Sequence, residues 1–235
     1  MKLAGLSFLC AICLILPARA DLTVVQKVET AGQSGDVTVK IKGDKERIDS
    51  PSQPTRIIDG KSGEMTALMN DRKTFVRISA KQMKAADETI NEFEGDKQTS
   101  AKPKLTPSGK KETIGGYETE EYVYQTPRFK ASFWIATKYP DAAAILKQMQ
   151  TPISGAWKQS NMGLPDYTDF PGLPLKTVIS LGATEVATTI TAIKQEALSD
   201  AEFAVPKDFQ EMKPPARAMP APSESRPPPA SSPTP

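Results

Sequence analysis

Three carboxylates stand close together in one stretch of the chain, and paired carboxylates are one arrangement that performs acid–base chemistry. Glu118, Glu120 and Glu121 lie within the alternating segment KKETIGGYETEEYVY. Side chains two residues apart on a strand point to the same face, so Glu118 and Glu120 share one face. This pattern is typical of a solvated strand face, and we favour that interpretation over a catalytic pair.

Two further motifs match a functional pattern only in part. Asp166 and Asp169 in LPDYTDF are able to ligate calcium, but they lack the dense acidic spacing of a calcium-binding loop. Gly115-Gly116 is not followed by a helical pattern, as a phosphate-binding loop would be, and it predicts a hairpin turn instead. We therefore predict no metal site and no phosphate-binding loop.

The residue types that are missing exclude most catalytic classes. The chain has no histidine, and its two cysteines, Cys10 and Cys13, both lie within the first 20 residues. Without histidine, Ser-His-Asp catalysis, His-ligated zinc and a His general base are excluded. A hydrolase would need a carboxylate pair or a Ser–Lys arrangement, and no motif supports either. We predict a protein that is not an enzyme and that uses no cofactor.

The first 20 residues predict a cleavable signal peptide. Lys2 supplies a short positive region, residues 3–16 are almost entirely apolar, and the sequence ARA at 18–20 places small residues where signal peptidase cleaves, after Ala20. The apolar run is shorter than the roughly 20 residues of a membrane span. This order of features favours an export signal over the alternative, a buried N-terminal helix.

The cysteines of this segment do not predict a lipid anchor, because Leu9 and Ile12 precede them where a lipidation motif has a small residue. Lys2 and Arg19 account for the whole net charge of +2, so the remaining chain is neutral. A neutral chain gives no electrostatic reason to expect nucleic acid or an anionic membrane as a partner. We expect a periplasmic or secreted protein with no transmembrane anchor after cleavage.

Residues 214–235 are rich in proline, alanine and serine and predict a disordered C-terminal tail, since such a composition cannot bury a core. The tail is interpreted as a spacer or, alternatively, as a docking segment for an envelope partner. Residues 21–213 are long enough for one domain with its own core.

Alternation and turn residues within this domain predict an antiparallel meander interrupted by two helices. The first helix begins at Ser79, with Gln82 as its capping-box partner, and ends near Gly95; the second covers 141–150. Residues 95–109 and 155–174 are predicted loops. The predicted strands cover 22–29, 36–42, 45–50, 56–59, 64–69, 74–78, 110–114, 117–125, 129–137, 175–181 and 185–196. The expected fold is α+β: a strongly curved antiparallel half-barrel with about two helices on its concave face.

Apolar and aromatic side chains on the first helix, on one strand and in the Gly/Pro-rich loop are candidates for the lining and lid of a cavity. Core packing is the simpler explanation for these side chains, because amphipathic helices and barrel-filling loops normally bury them. The candidate ligand-binding residues are Met83, Ile90, Phe93, Phe133, Trp134, Trp157, Met162, Tyr167 and Phe170.

The order of several phrases resembles an exported bacterial family, domain of unknown function 4412. The phrases are RIIDGKSGEMTALMNDRKTFVRI, KKETIGGYETEEYVY, FWIATK, PGLPLKTVISL and ALSDAEFAVPKDF, which together span most of 36–209. The resemblance implies an envelope location and a fold similar to the Lol-type lipoprotein carriers, whose members bind acyl chains or lipoproteins between sheet and helices. This chain departs from a dedicated carrier in its long proline tail and in having no evident partner motif.

The expected function is that of a non-enzymatic envelope protein that binds an apolar ligand, such as a lipid or acyl chain, in the half-barrel cavity. The alternative is an interaction or structural module that contacts an envelope protein through its sheet surface and proline-rich tail, without a small ligand.

Overall fold

Twelve strands form one continuous sheet in the computed structural model of the protein, which describes residues 20–85, 103–126, 129–151 and 165–212. The strands are β1 (Asp21–Thr30), β2 (Gln33–Lys42), β3 (Lys45–Ser50), β4 (Gln53–Asp59), β5 (Glu64–Met69), β6 (Thr74–Ile78), β7 (Thr106–Ile114), β8 (Tyr117–Gln125), β9 (Lys130–Ala136), β10 (Leu173–Leu181), β11 (Thr184–Glu196) and β12 (Gln210–Glu211).

The strand order is β12-β6-β5-β4-β3-β2-β1-β11-β10-β9-β8-β7. Every neighbouring pair is antiparallel except β12 and β6, which run parallel. Two meanders, β1–β6 and β7–β11, are therefore joined side by side where β1 pairs with β11. The sheet is open, because its edge strands β12 and β7 do not pair with each other.

Two helices accompany the sheet, as predicted. Helix α1 begins at residue 80 and is described to residue 85; Gln82 N–H donates to Ser79 Oγ at 3.3 Å, and Ser79 N–H donates to Gln82 Oε1 at 2.9 Å. This reciprocal pair is the predicted capping box. Helix α2 (Ala142–Gln150) begins one residue later than predicted. The end of α1 near Gly95 lies outside the described residues.

The mostly antiparallel sheet is confirmed, and most strand bounds agree with prediction to within a few residues. The Gly115-Gly116 turn has φ of 56° and 83°, the left-handed conformation that two-residue hairpin turns require. The prediction was wrong for 106–109, which belong to β7 rather than to a loop. These residues are exposed and include a proline and a glycine, so neither alternation nor strand propensity marks them. Strong curvature stays a prediction.

One face of the sheet, here called the helix face, carries the main core. Leu22, Val24 and Ile41 are at most 3% exposed there and form a cluster with Ile145 and Leu146 of α2. The two helix residues are adjacent, and together they aim one side of α2 at the sheet. Burial of this aliphatic cluster fixes α2 across the joined ends of the two meanders.

The opposite face of β2–β6 is covered by residues 198–212, here called the strap. Phe203 and Leu198 pack with Ile57, Leu68 and Phe75 in a second apolar cluster. Leu198 and Phe203 are 8% and 7% exposed. The residues SDAEF at 199–203 are typical of a short turn, but a segment without periodicity gives no indication that it buries its few apolar residues against a distant strand.

Polar contacts hold the strap at several points. Lys40 forms an ion pair with Glu202, Lys42 pairs with Asp200 at 2.8 Å, and Arg47 Nη1 donates to the Glu202 carbonyl at 2.7 Å. The hydrogen bond from Lys40 holds the pKa of the Glu202 carboxyl below its ordinary value. At its end the strap forms β12, which covers the edge of β6 that would otherwise offer unpaired backbone groups.

We expect the Phe203→Ala substitution to lower the free energy of unfolding by roughly 3–5 kcal/mol, because it leaves a cavity in the apolar cluster under the strap. Urea unfolding followed by tryptophan fluorescence measures the change. Met212→Ala is the matched control: Met212 is 41% exposed at the end of the strap, and its truncation should change stability by less than about 0.5 kcal/mol. Equal effects of the two substitutions would contradict the packing role of Phe203.

Candidate functional site

A groove lies between α2 and the segment 165–172, with a volume of about 710 Å³. Its walls combine apolar side chains with a polar rim. The lining residues are Thr137, Tyr139, Asp141, Ala142, Ala143, Leu146, Lys147, Gln150, Tyr167, Thr168, Phe170, Pro171 and Gly172. Grooves of this size that are largely apolar with a few polar groups are typical of small-molecule sites.

The segment 165–172 is held by its own capping contacts. Asp166 caps a short 3₁₀ turn, Tyr167–Asp169, by accepting a hydrogen bond from Thr168 N–H at 3.1 Å, and Asp166 N–H donates to Asp169 Oδ2 at 3.1 Å. Gln150 of α2 donates to Asp166 Oδ1 at 2.6 Å and so ties the segment to the helix. The two aspartates therefore act as a cap, which explains their spacing without calcium.

Gly172 sets the exit of this segment into β10. A Cβ atom at Gly172 would lie 2.4 Å from the Ala136 carbonyl oxygen, so only glycine allows the segment to approach β9 this closely. On the other side of the groove, Gln148 donates to the Ala20 carbonyl at 2.7 Å and fixes α2 against the start of β1. Both walls of the groove are thus positioned by specific contacts.

Aromatic rings connect the groove to the sheet beneath it. Phe133 of β9 meets Phe170 edge-on with ring centroids 5.0 Å apart, and Phe170 lies 6.0 Å from Tyr167. Phe133 is 5% exposed, while Tyr167 and Phe170 are half-buried and line the groove. These three residues were predicted as candidate lining from the sequence, and the structure brings them together.

Trp134 follows Phe133 on β9, so its side chain leaves the opposite face of the strand. It packs, like Tyr167 and Phe170, against the cluster that contains Ile145 and Leu146 of α2, and its ring stacks under the Lys176 ammonium, 4.6 Å from the centroid. Met83 is half-buried on α1. Ile90, Phe93, Trp157 and Met162 lie outside the described residues. A ligand-binding role for the set stays a prediction.

A buried acid that the sequence analysis did not single out lies on the helix face. Glu46 of β3 is 7% exposed and stands opposite Ile41 on β2 and Ile58 on β4. Within the described ranges its carboxyl group has no hydrogen bond or ion pair. The signal was present in the sequence, since Glu46 alternates in phase with Ile48, but the prediction for 45–50 was a strand with no assignment of its faces.

Burial raises the pKa of the Glu46 carboxyl from its ordinary 4.5 to about 7, and the nearby Arg56 opposes this shift only in part. Tyr167 lies close enough to interact with the same carboxyl. Its own pKa is raised to about 12, first by burial and then by the charge of Glu46. The helix face next to the groove therefore holds an acid that is largely neutral below pH 7.

The acidic residues of β8 lie on both faces of the strand. Glu118 makes an exposed ion pair with Lys111 at 3.3 Å, as expected for a solvated face. Glu121 points to the other face, is 5% exposed and accepts a hydrogen bond from Ser108 Oγ at 2.7 Å, which holds its pKa below the ordinary value. Within the described part of the chain, no group of three or more acidic, His or Cys residues is arranged to hold a metal ion.

The fold and the groove belong to a chain of the family described as Domain of unknown function (DUF4412), whose model matches residues 22–209. That range runs from β1 to the strap and includes every groove-lining residue. The resemblance expected from the ordered sequence phrases is thereby confirmed at the level of the family. No curated protein matches the chain. None of the described helices is long and apolar enough to cross a membrane.

Several solved structures are similar to this chain at low identity. PNGF-II in its C2 crystal form is 16% identical over 84% of this chain and 31% of its own, with a TM-score of 0.39. A chain of the Pseudomonas aeruginosa MucA/MucB complex is 11% identical over 82% of this chain and 58% of its own, with a TM-score of 0.43. The Mycobacterium tuberculosis lipoprotein LppX is 13% identical over 75% of this chain and 88% of its own, with a TM-score of 0.40. This chain thus spans about a third of PNGF-II.

We expect the stability of the protein to fall as the pH rises from about 4.5 to about 7, through the contribution of Glu46. A group with a raised pKa binds its proton more tightly in the folded state, so its ionisation favours unfolding. A pKa that is raised from 4.5 to about 7 in the folded state corresponds to a loss of about 3 kcal/mol of stability at pH 8. Glu46→Gln should remove this loss, so that the variant gains stability over the parent protein at pH 8 and not at pH 4.5.

The measurement is urea unfolding at a series of pH values for the parent protein, Glu46→Gln and Glu118→Gln. Glu118 is a suitable control because its side chain is 66% exposed. A difference between the parent and Glu46→Gln that stays constant from pH 4.5 to pH 8 would show that the carboxyl is not desolvated.

Proposed function

We propose that this protein is an exported, non-enzymatic envelope protein that binds an apolar ligand, such as a lipid or acyl chain, against the helix face of its sheet. The observation that carries the proposal is the groove of about 710 Å³ between α2 and 165–172, which opens above the Phe133–Phe170–Tyr167 contacts. Ligand sites in carrier-like sheets need an apolar wall that remains accessible, and this groove supplies one.

The chemistry of the walls supports an apolar ligand rather than a reacting substrate. Leu146, Ala143 and Phe170 offer carbon surface, whereas the polar residues at the rim, such as Lys147 and Gln150, carry no nucleophile–base arrangement. The histidine-free sequence leaves no imidazole to act as a general base. Binding through burial of carbon surface gains roughly 25 cal/mol per Å² and requires no catalytic group.

The alternative, an interaction module that acts through the surface of the sheet, is less well supported. Among the described residues, Met212 is the large hydrophobic side chain that is exposed, and a lone residue is no docking patch. The strap already covers one face of β2–β6. A role for the tail, 214–235, remains a separate hypothesis; crosslinking in cells, with and without that tail, tests whether it recruits an envelope protein.

We expect Ala143→Trp to weaken binding of an apolar ligand at least 10-fold, because an indole at this exposed position would fill the groove without disturbing the core. The measurement is the fluorescence of N-phenyl-1-naphthylamine, an uncharged apolar dye, titrated with protein. Ala144→Trp is the matched control: it is the next residue on α2, it is also exposed, and it does not line the groove.

Equal dye binding by the parent protein, Ala143→Trp and Ala144→Trp would count against the groove as the ligand site. Native mass spectrometry of protein purified from an envelope fraction tests the proposal independently. A co-purifying lipid supports it, whereas a protein that carries no ligand and binds no dye would contradict it.

A further inference from the structure

A second cavity, of about 420 Å³, opens on the helix face at the end of the sheet away from α2. It lies where the β1–β2 turn and the β3–β4 turn come together. Its lining residues are Val28, Thr30, Gln33, Ser34, Gly35, Val37, Ser50, Pro51, Ser52, Gln53 and Arg56. Valines and a proline form its apolar part, small hydroxyl and amide side chains surround them, and one residue carries a charge.

Register places this cavity and the groove on the same face of the sheet. Val28 is on the same side of β1 as Leu22 and Val24, because the residues are separated by even numbers along a strand whose pairing with β2 is regular. Leu22 packs with α2, and Val28 lines the cavity. Six residues of strand separate them, which corresponds to about 20 Å at 3.3 Å per residue.

Arg56 is the single charged residue among those that line the cavity. Within the described ranges no carboxylate forms an ion pair with its guanidinium group. Glu46 lies diagonally across β3 and β4 on the same face, since Glu46 pairs with Ile58 and Ile48 pairs with Arg56. Diagonal neighbours are about 7–8 Å apart, so the Glu46 carboxyl and the Arg56 guanidinium interact electrostatically but form no hydrogen bond or ion pair.

A guanidinium group at the mouth of a partly apolar cavity is suited to bind a carboxylate or a phosphate, because its planar donors can engage two oxygens at once. Ser50, Ser52 and Gln53 surround it with further hydrogen-bonding groups. Val28, Val37 and Pro51 offer carbon surface in the same cavity, which is suited to a hydrocarbon chain. The two features together describe a ligand with an anionic head and an apolar tail.

We propose that Arg56 binds the anionic head group of an amphiphile whose apolar chain runs along the helix face toward the groove under α2. This inference rests on the proposed function and deepens it: it assigns the charge of the ligand and the residue that selects for it. Arg56 is a specificity-determining residue in this account, and an uncharged apolar ligand would bind without using it.

The test compares two ligands of equal chain length, laurate and dodecanol, as competitors for N-phenyl-1-naphthylamine. Laurate should displace the dye from the parent protein at a concentration about 10-fold lower than dodecanol. Arg56→Gln should remove that advantage and leave dodecanol unchanged, since only the charge-assisted contact is lost. Arg56→Lys should retain part of it. Arg72→Gln, which removes an arginine that is 75% exposed in the β5–β6 turn, is the matched control and should behave like the parent.

Three outcomes would overturn the inference, and they are distinguishable. If laurate and dodecanol compete equally in the parent protein, the site does not select an anion. If Arg56→Gln weakens the binding of laurate and of dodecanol equally, Arg56 has only a structural role. A lower melting temperature of the Arg56→Gln variant will then show that role. If the parent protein binds neither the dye nor dodecanol, the proposed function itself fails, and the inference fails with it.

Discussion

The pairing of β1 with β11 is the interaction on which the rest of the structure depends. Its register runs from Asp21 opposite Glu196 to Thr30 opposite Val186, and it joins the two meanders into one sheet. The register shifts between Val25 and Gln26, where Thr191 is the extra residue on β11, and the two strands stay paired on both sides of this bulge. This pairing joins residues that are far apart in sequence, so the helix face becomes continuous only once the two strands have paired. The entropy lost on closing such a long loop must be offset by the burial of apolar surface.

The two faces of the joined sheet are used differently. The strap leaves β11, crosses the opposite face and ends beside β6, so it links the end of the second meander to the far edge of the first. On the helix face, among the described residues, α2 covers one end of the strands, and cavities lie beside it and at the other end. One face is therefore closed by the chain itself, while the other retains accessible apolar surface next to the buried acid Glu46.

The burial of the Glu46 carboxyl costs free energy of folding that a fully apolar core would not lose. A carboxyl group buried without a partner among the described residues is neutralised rather than paired, which is why its pKa rises toward 7. An aliphatic residue would pack between Ile41 and Ile58 at lower cost. Together with Arg56 it places two ionisable groups on the helix face, and this combination distinguishes the helix face from ordinary core packing.

The sequence by itself determined the local structure: the alternating strands, the Gly115-Gly116 turn, the Ser79 cap and the family. Each of these depends on neighbours within a few residues, so the pattern contains the necessary information. It also selected Phe133, Tyr167 and Phe170, since aromatic residues in a loop and a strand indicate burial. Only the tertiary structure decided that the strap buries Phe203 and that Glu46 and Arg56 share a face with the groove. Those facts depend on which strands pair and in which register, and pairing across more than a hundred residues leaves no periodic signal in the chain.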